Sequence, residues 1–204
     1  MRFSLLVAVG ALTVVVSPGL ASGSAPVCGP STARTLAASR GARAYATGGS
    51  VYGCSTRSRR ITRLGSARSC GGRGSSVDRV AVAGQTVAWG LHTCGVDFGF
   101  TQVRVLRLSD GRRLGSFAAT EKAQGPESTD FVGSLVVKPG GAAAWVGTGS
   151  SIVSPARDIE VRTGHGHRRR LLDSGPRVRP ESLRLHGSRL TWLNGHTRRS
   201  ATLS

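Results

Sequence analysis

Val80-Ala81-Val82-Ala83-Gly84-Gln85-Thr86-Val87-Ala88-Trp89 decides the fold of this chain. Apolar side chains at every second place, Val80 and Val82 before the glycine and Val87 and Trp89 after it, are the period of strands with one buried face. Gly84-Gln85 supplies the turn between them. The phrase returns as Leu135-Val136-Val137-Lys138-Pro139-Gly140 to Trp145 and as Leu183-Arg184-Leu185-His186-Gly187 to Trp192, with tryptophan following glycine by five positions in all three copies. A looser copy runs from Ala44 through Gly48 to Tyr52. The glycines stand 36, 56 and 47 residues apart, the spacing of a β unit the size of a propeller blade.

Flanking segments extend each copy. Val103 to Leu108 reads as a third strand, Asp110-Gly111 as a tight hairpin with positive backbone angles, and Arg112 to Phe117 as the return. The next copy parses as Ser134 to Lys138, Ala142 to Val146, Arg157 to Thr163, a turn at Gly164-His165-Gly166, and Arg168 to Leu172. Helical periodicity is missing, and 29 glycines would weaken helices. The predicted class is all-β: about four antiparallel repeats near residues 31–66, 76–118, 130–174 and 178–204, forming a small or partial β-propeller in one domain over 26–204. A β-sandwich is the alternative. After Ser200 to Leu203 the last repeat lacks a strand, and Thr32 to Ala37 could supply it, closing a ring with Thr35 beside Ala201. A short helix or free arm over Ser31 to Arg40 competes with that reading. Recurrence at one position makes the indoles core residues, with Val87, Ala143 and Leu190 two places earlier on the same faces.

The Gly-to-Trp phrases and the strand-turn-strand at Val103 to Gly111 resemble the secreted bacterial β-propellers of the broad WD40-like and TolB-like kind, over residues 31–204. The Gly-His and Trp-Asp dipeptides of WD40 blades are absent from these phrases, and the repeat lengths are uneven. The resemblance implies ligand or partner binding on a rigid scaffold and carries over no active-site residue.

Compartment is read from the first residues. Arg2 followed by the apolar run Phe3 to Val16 is the pattern of a cleaved secretion signal, with small residues for cleavage at Gly19-Leu20-Ala21 or Ala21-Ser22-Gly23, so 1–25 is set apart as signal and cleavage region. No later stretch is apolar enough to span a membrane. In an oxidising destination the four cysteines, Cys28, Cys54, Cys70 and Cys94, form two disulfides. Three connectivities exist, of which neighbours in sequence, Cys28 with Cys54 and Cys70 with Cys94, are favoured. No pair has the two-residue gap of a zinc knuckle.

Charge is the strongest compositional signal: 28 basic against 10 acidic side chains, a formal +18 carried almost wholly by arginine. Arg57, Arg59, Arg60, Arg63 and Arg68 form one group, Arg168, Arg169 and Arg170 with Arg177 and Arg179 a second, and Arg198-Arg199 a third. Guanidinium forks suit phosphate and carboxylate, making Arg57, Arg59, Arg60, Arg63 and Arg168 to Arg170 the candidate polyanion-binding residues. Like charges on sheet edges also keep sheets from docking edge to edge. Catalytic signals are sparse. His165-Gly166-His167 sits beside three arginines that repel a cation, the aspartates are scattered singly, and Cys70-Gly71-Gly72-Arg73-Gly74-Ser75 lacks the lysine of a phosphate loop. No catalytic, metal or cofactor site is assigned. The sequence reads as a secreted non-catalytic binding or scaffold module. Binding of extracellular polyanions, wall polymer or nucleic acid, is the alternative, and a propeller-type hydrolase or lyase with a loop-built site the second. An acidic polymer, a protein partner or a second copy of the chain are the partners in view.

Overall fold

The computed structural model describes residues 28–70, 74–96, 98–121, 128–151 and 154–204. The signal region expected over 1–25 lies outside them. Every regular element among the described residues is a strand, which establishes the all-β class. Among them no helix is long and apolar enough to cross a membrane.

The chain folds as four successive antiparallel meanders. The first holds β1 (Arg34–Ser39), β2 (Ala42–Thr47), β3 (Ser50–Ser55) and β4 (Ile61–Ser66). The second holds β5 (Gly74–Ala83), β6 (Thr86–Cys94), β7 (Gly99–Arg107) and β8 (Arg113–Ala118). The third holds β9 (Ser128–Val137), β10 (Ala143–Ser151), β11 (Ser154–His165) and β12 (Arg168–Ser174), and the last β13 (Arg184–His186), β14 (Arg189–Asn194) and β15 (Thr197–Thr202). Single parallel bridges, Ser66 to Ser76 and Gly99 to Thr129, join the first three into one mixed 12-stranded sheet. The final three strands form a separate sheet.

This corrects the expected four-bladed ring. Thr35 pairs with Tyr45 in β1–β2, Ala201 pairs with Leu190 in β14–β15, and no pairing among the described strands joins the ends. The segment reserved for the last repeat is instead the first strand of the first meander. Its Leu36 packs inward, and Arg40-Gly41 turns it into β2, so the local hairpin forms without a distant partner. The first copy of the phrase shifts too: Gly48 turns β2 into β3, with Tyr52 on β3, whereas the aromatic on the second strand is Tyr45. At Asp110-Gly111 only the glycine has positive φ, 76°, so the connection is a longer turn than the dipeptide suggested.

Packing explains why the array stays open. Each second strand carries one aromatic, Tyr45, Trp89, Trp145 or Trp192, and each indole is buried against the meander before its own. Trp89 packs with Ala42, Val51 and Leu64 of the first meander, and Trp145 with Val103, Val105 and Phe117 of the second. Trp192 packs with Val146, Ile159 and Val161 of the third. Burying an indole removes roughly 150–250 Å² from water, an upper-bound gain of about 4–6 kcal/mol. Tyr45 has no preceding sheet. Its face is covered by Cys28, Ala33 and the Cys28–Cys54 disulfide, with Gly29 so close to the ring that a built Cβ would stand 2.5 Å from Cζ. A cap thus occupies the place that a ring would give to the fourth meander.

Polar contacts follow the same rule. Trp145 Nε1 donates to Ala119 O at 2.8 Å and Trp192 Nε1 to Asp173 Oδ2 at 2.7 Å, both in the preceding meander's territory, while Trp89 Nε1 is buried without a partner. Gly147, two places after Trp145, must stay bare because a Cβ there would lie 2.2 Å from Ala119 O. Arg162 and Glu160, 2% and 3% exposed, pair at 2.6 Å, and Arg162 also reaches Glu121, pinning the chain that leaves β8 onto the third meander.

Trp145→Phe is expected to destabilise the protein by about 1–3 kcal/mol more than Trp89→Phe, because only the former orphans a buried carbonyl; chemical denaturation of the two variants measures the difference. Leu203→Ala, which empties the site where β15 closes on Leu190 and Trp192, is expected to cost about 2–4 kcal/mol in the same assay.

Candidate anion-binding rim

An antiparallel meander places its first and third turns at the same end. Here those turns are fastened to one another in sequence along the array. Ser39 Oγ donates to Gly84 O at 2.7 Å, Gln85 Nε2 to Gly41 O, Thr86 Oγ1 to Pro139 O at 2.6 Å, and Lys138 Nζ to Ser188 Oγ at 2.9 Å and Leu203 O at 3.0 Å. These bonds fix an inner row. Outside it stand the tips of the third-to-fourth-strand hairpins, and the arginines collect there.

The β3–β4 tip carries Arg57, Arg59 and Arg60, all exposed. Arg60 Nη1 donates to Asp110 O at 2.9 Å, linking this tip to the β7–β8 tip, where Gly111 lies against the guanidinium. Arg107, Arg112 and Arg113 belong to that second tip, and with Leu114, His165 and His167 they line a cleft of about 550 Å³ reaching the β11–β12 tip. Beyond it Arg168 and Arg170 line a cleft of about 680 Å³ with Thr202 and Ser204. The structure therefore brings Arg57, Arg59 and Arg60 onto one rim with Arg168, Arg169 and Arg170, through three arginines that the sequence reading did not select. Arg107 and the pair Arg112-Arg113 flank one turn, and nothing in the sequence marks which other turns that turn will meet.

Three of the singled-out features belong elsewhere. Arg63 is on outer strand β4, its Nε donating to Ser50 Oγ at 3.3 Å, away from the tips. Arg198 and Arg199 lie in exposed edge strand β15. Arg177 and Arg199 border a separate cleft with Asn194 and His196.

Charge on the rim is nearly unopposed. Asp110 is its one described acidic side chain, and the Arg112 amide, followed by the Arg107 guanidinium 3.3 Å away, holds that carboxyl below its ordinary range. Arg169 bonds Glu121 at 3.2 Å, but among the described residues no carboxylate pairs with Arg57, Arg59, Arg112, Arg113, Arg168 or Arg170. Arg59 has φ 55°, the one described non-glycine residue in the left-handed region. That conformation costs an L-residue with a Cβ about 1–2 kcal/mol, so an arginine at this point of the tip is held against backbone preference.

The opposite end differs in chemistry. Exposed Phe98, Phe100 and Phe131 are found there, with a buried polar chain between the second and third meanders. His92 Nδ1 meets Thr101 Oγ1 at 2.9 Å, Thr101 Oγ1 donates to Asp130 O at 2.7 Å, and the Asp130 carboxylate accepts from Thr101 N and, at 3.0 Å, from Thr120 Oγ1. Burial pushes the Asp130 carboxyl up, and Asp78 beside it likewise. Scattered aspartates gave no sign of this convergence in the sequence, since Asp78 and Asp130 are 52 positions apart (130 minus 78).

A folded-state pKa above the unfolded one means that the folded chain holds protons the unfolded chain has released, so this contribution to stability declines as pH rises through the raised value. Wild-type melting temperature is therefore expected to gain on that of Asp130→Asn as pH is lowered from neutral toward mildly acidic, measured by calorimetry across that window. No protein-family model matches this chain, and no curated protein matches it.

Proposed function

We propose that this chain is an exported binding module that holds extended anionic polymers along the arginine rim. The observation that carries the reading is the meeting of three hairpin tips, distant in sequence, whose arginines, Arg107 and Arg169 apart, have no acidic partner among the described residues. Guanidinium groups at such a rim match phosphate and carboxylate oxygens along a chain. The exposed aromatics stand at the other end, so the rim offers charge without stacking platforms. That favours recognition of a repeating anionic backbone over the reading of bases. Action outside the cell is supported by the two disulfides, Cys28–Cys54 and Cys70–Cys94, with no free cysteine among the described residues. Rigid sheets and fastened turns suit a scaffold whose binding groups do not rearrange.

Arg63, Arg198 and Arg199 take the second part named for such residues, charge on outer strands that discourages edge-to-edge association.

Titration with inorganic polyphosphate tests the proposal. Apparent affinity is expected to fall steeply between about 50 and 200 mM salt, with each rim arginine removed lowering the slope of log affinity against log salt by about one; a flat salt response removes the proposal. Arg59→Gly separates the rim from stability: the variant is expected to be as stable as the parent or more so, by up to about 1 kcal/mol, while binding polyphosphate more weakly. Equal binding by Arg59→Gly and Arg63→Ala would count against the rim as the site.

A further inference from the structure

The two disulfides sit in contrasting surroundings. Cys28 and Cys54 are 7% and 2% exposed and packed under Tyr45, whereas Cys70 and Cys94 are both partly exposed. Beside the second pair lies His92, and the ligating atoms of Cys70, His92 and Cys94 all stand within 4.8 Å of one another. Donors held by one tetrahedral zinc ion, at about 2.3 Å for sulfur and 2.0–2.1 Å for nitrogen, stand roughly 3.5–3.8 Å apart. Small side-chain movements of the freed thiols cover the difference, with the Cα atoms already 6.2 Å apart.

His92 is oriented as a metal ligand is. Thr101 Oγ1 has one proton, and at 2.7 Å from Asp130 O that proton is committed to the carbonyl. The hydroxyl therefore accepts from His92 Nδ1–H at 2.9 Å. Nε2 keeps its lone pair and lies beside Gly99, the cross-strand partner of Cys94, where a built Cβ would stand 2.9 Å from it. A ring nitrogen anchored through a hydroxyl to a carbonyl, with the other nitrogen bare, is the outer support that fixes histidine ligands at zinc centres.

We infer that Cys70, Cys94 and His92 form a redox-gated site for a soft divalent cation, Zn²⁺ by its donor set, closed as a disulfide and opened by reduction. The opening step takes two electrons and two protons from a dithiol, which becomes its own disulfide, or two electrons from a phosphine, with one water supplying both thiol protons and the oxygen of the phosphine oxide. Two thiols result. Binding of the cation then releases both thiol protons, giving two thiolates and one neutral imidazole as ligands with a fourth position for water. The oxidised protein has no thiolate to offer and binds no metal there.

A phosphine titration followed by alkylation and mass spectrometry is expected to label Cys70 and Cys94 before Cys28 and Cys54. Co²⁺ added to that partly reduced protein is expected to give thiolate charge-transfer and tetrahedral absorption bands at one ion per chain, bleached by Zn²⁺ and absent from the oxidised protein. His92→Ala should keep the order of reduction and bind Co²⁺ at least about tenfold more weakly, and Thr101→Val roughly 10–100-fold more weakly. The inference is overturned by any of three results: free Cys70 and Cys94 without cobalt bands, bands of the same strength in His92→Ala, or loss of the near-ultraviolet spectrum on opening this disulfide alone.

Discussion

Everything in this molecule depends on an aromatic ring reaching backward. A single antiparallel meander of such an array cannot bury its apolar face alone, and each of the last three here sends a tryptophan from its second strand into the sheet that precedes it. The indole joins two sheets by apolar contact, and in two of the three cases its N–H also takes a polar atom of the earlier meander. Stability then accumulates as a series of nearest-neighbour interfaces, in the way of stacked-unit proteins. Bare positions such as Gly147 are the complement of those rings, leaving room for the neighbouring backbone.

The same stacking creates the rim. An isolated hairpin tip with two or three arginines is an ordinary solvated turn. Three tips become one surface because the turns inside them are tied in succession, from Gly41 to Gln85, from Thr86 to Pro139 and from Lys138 to Ser188. Acidic groups are meanwhile spent in the body and at the far end: Glu160 on Arg162, Asp173 on Trp192 and Asn194, Asp130 on two threonines. The excess of positive charge is thus concentrated at the turn end by the folding of the chain as well as by its composition.

Strand positions in the second and third meanders were legible in the sequence because their alternation is strong and local, as in Val80 to Trp89. The disulfide partners were legible as well, sequence neighbours being the ones that short hairpins bring together. Closure was not. It depends on what covers Tyr45, and residues 28–33 carry no periodic signal that marks them as a cap. The first phrase was misplaced by one strand since Gly48 imitates the turn glycine, while the true first turn has Arg40-Gly41 and places its aromatic five residues after the arginine. Two of the three rim tips were visible as arginine runs, and the third required knowing which turns are neighbours. The His92 and Asp130 chain was invisible, because its members gain meaning only where β6, β7 and β9 meet.

The cap over Tyr45 also occupies the face on which a further sheet would stack. An uncovered first face would present Tyr45 as the later meanders present their tryptophans, as a ring to be received by a preceding sheet. At the other extremity β15 reads Thr-Arg-Arg-Ser-Ala-Thr, exposed at every residue except Ala201. One described extremity is covered and cross-linked, and the other is hydrophilic. The Cys28–Cys54 bond thus fastens the cover that stands where a further sheet would dock, so the covalent link and the apolar lid are one feature.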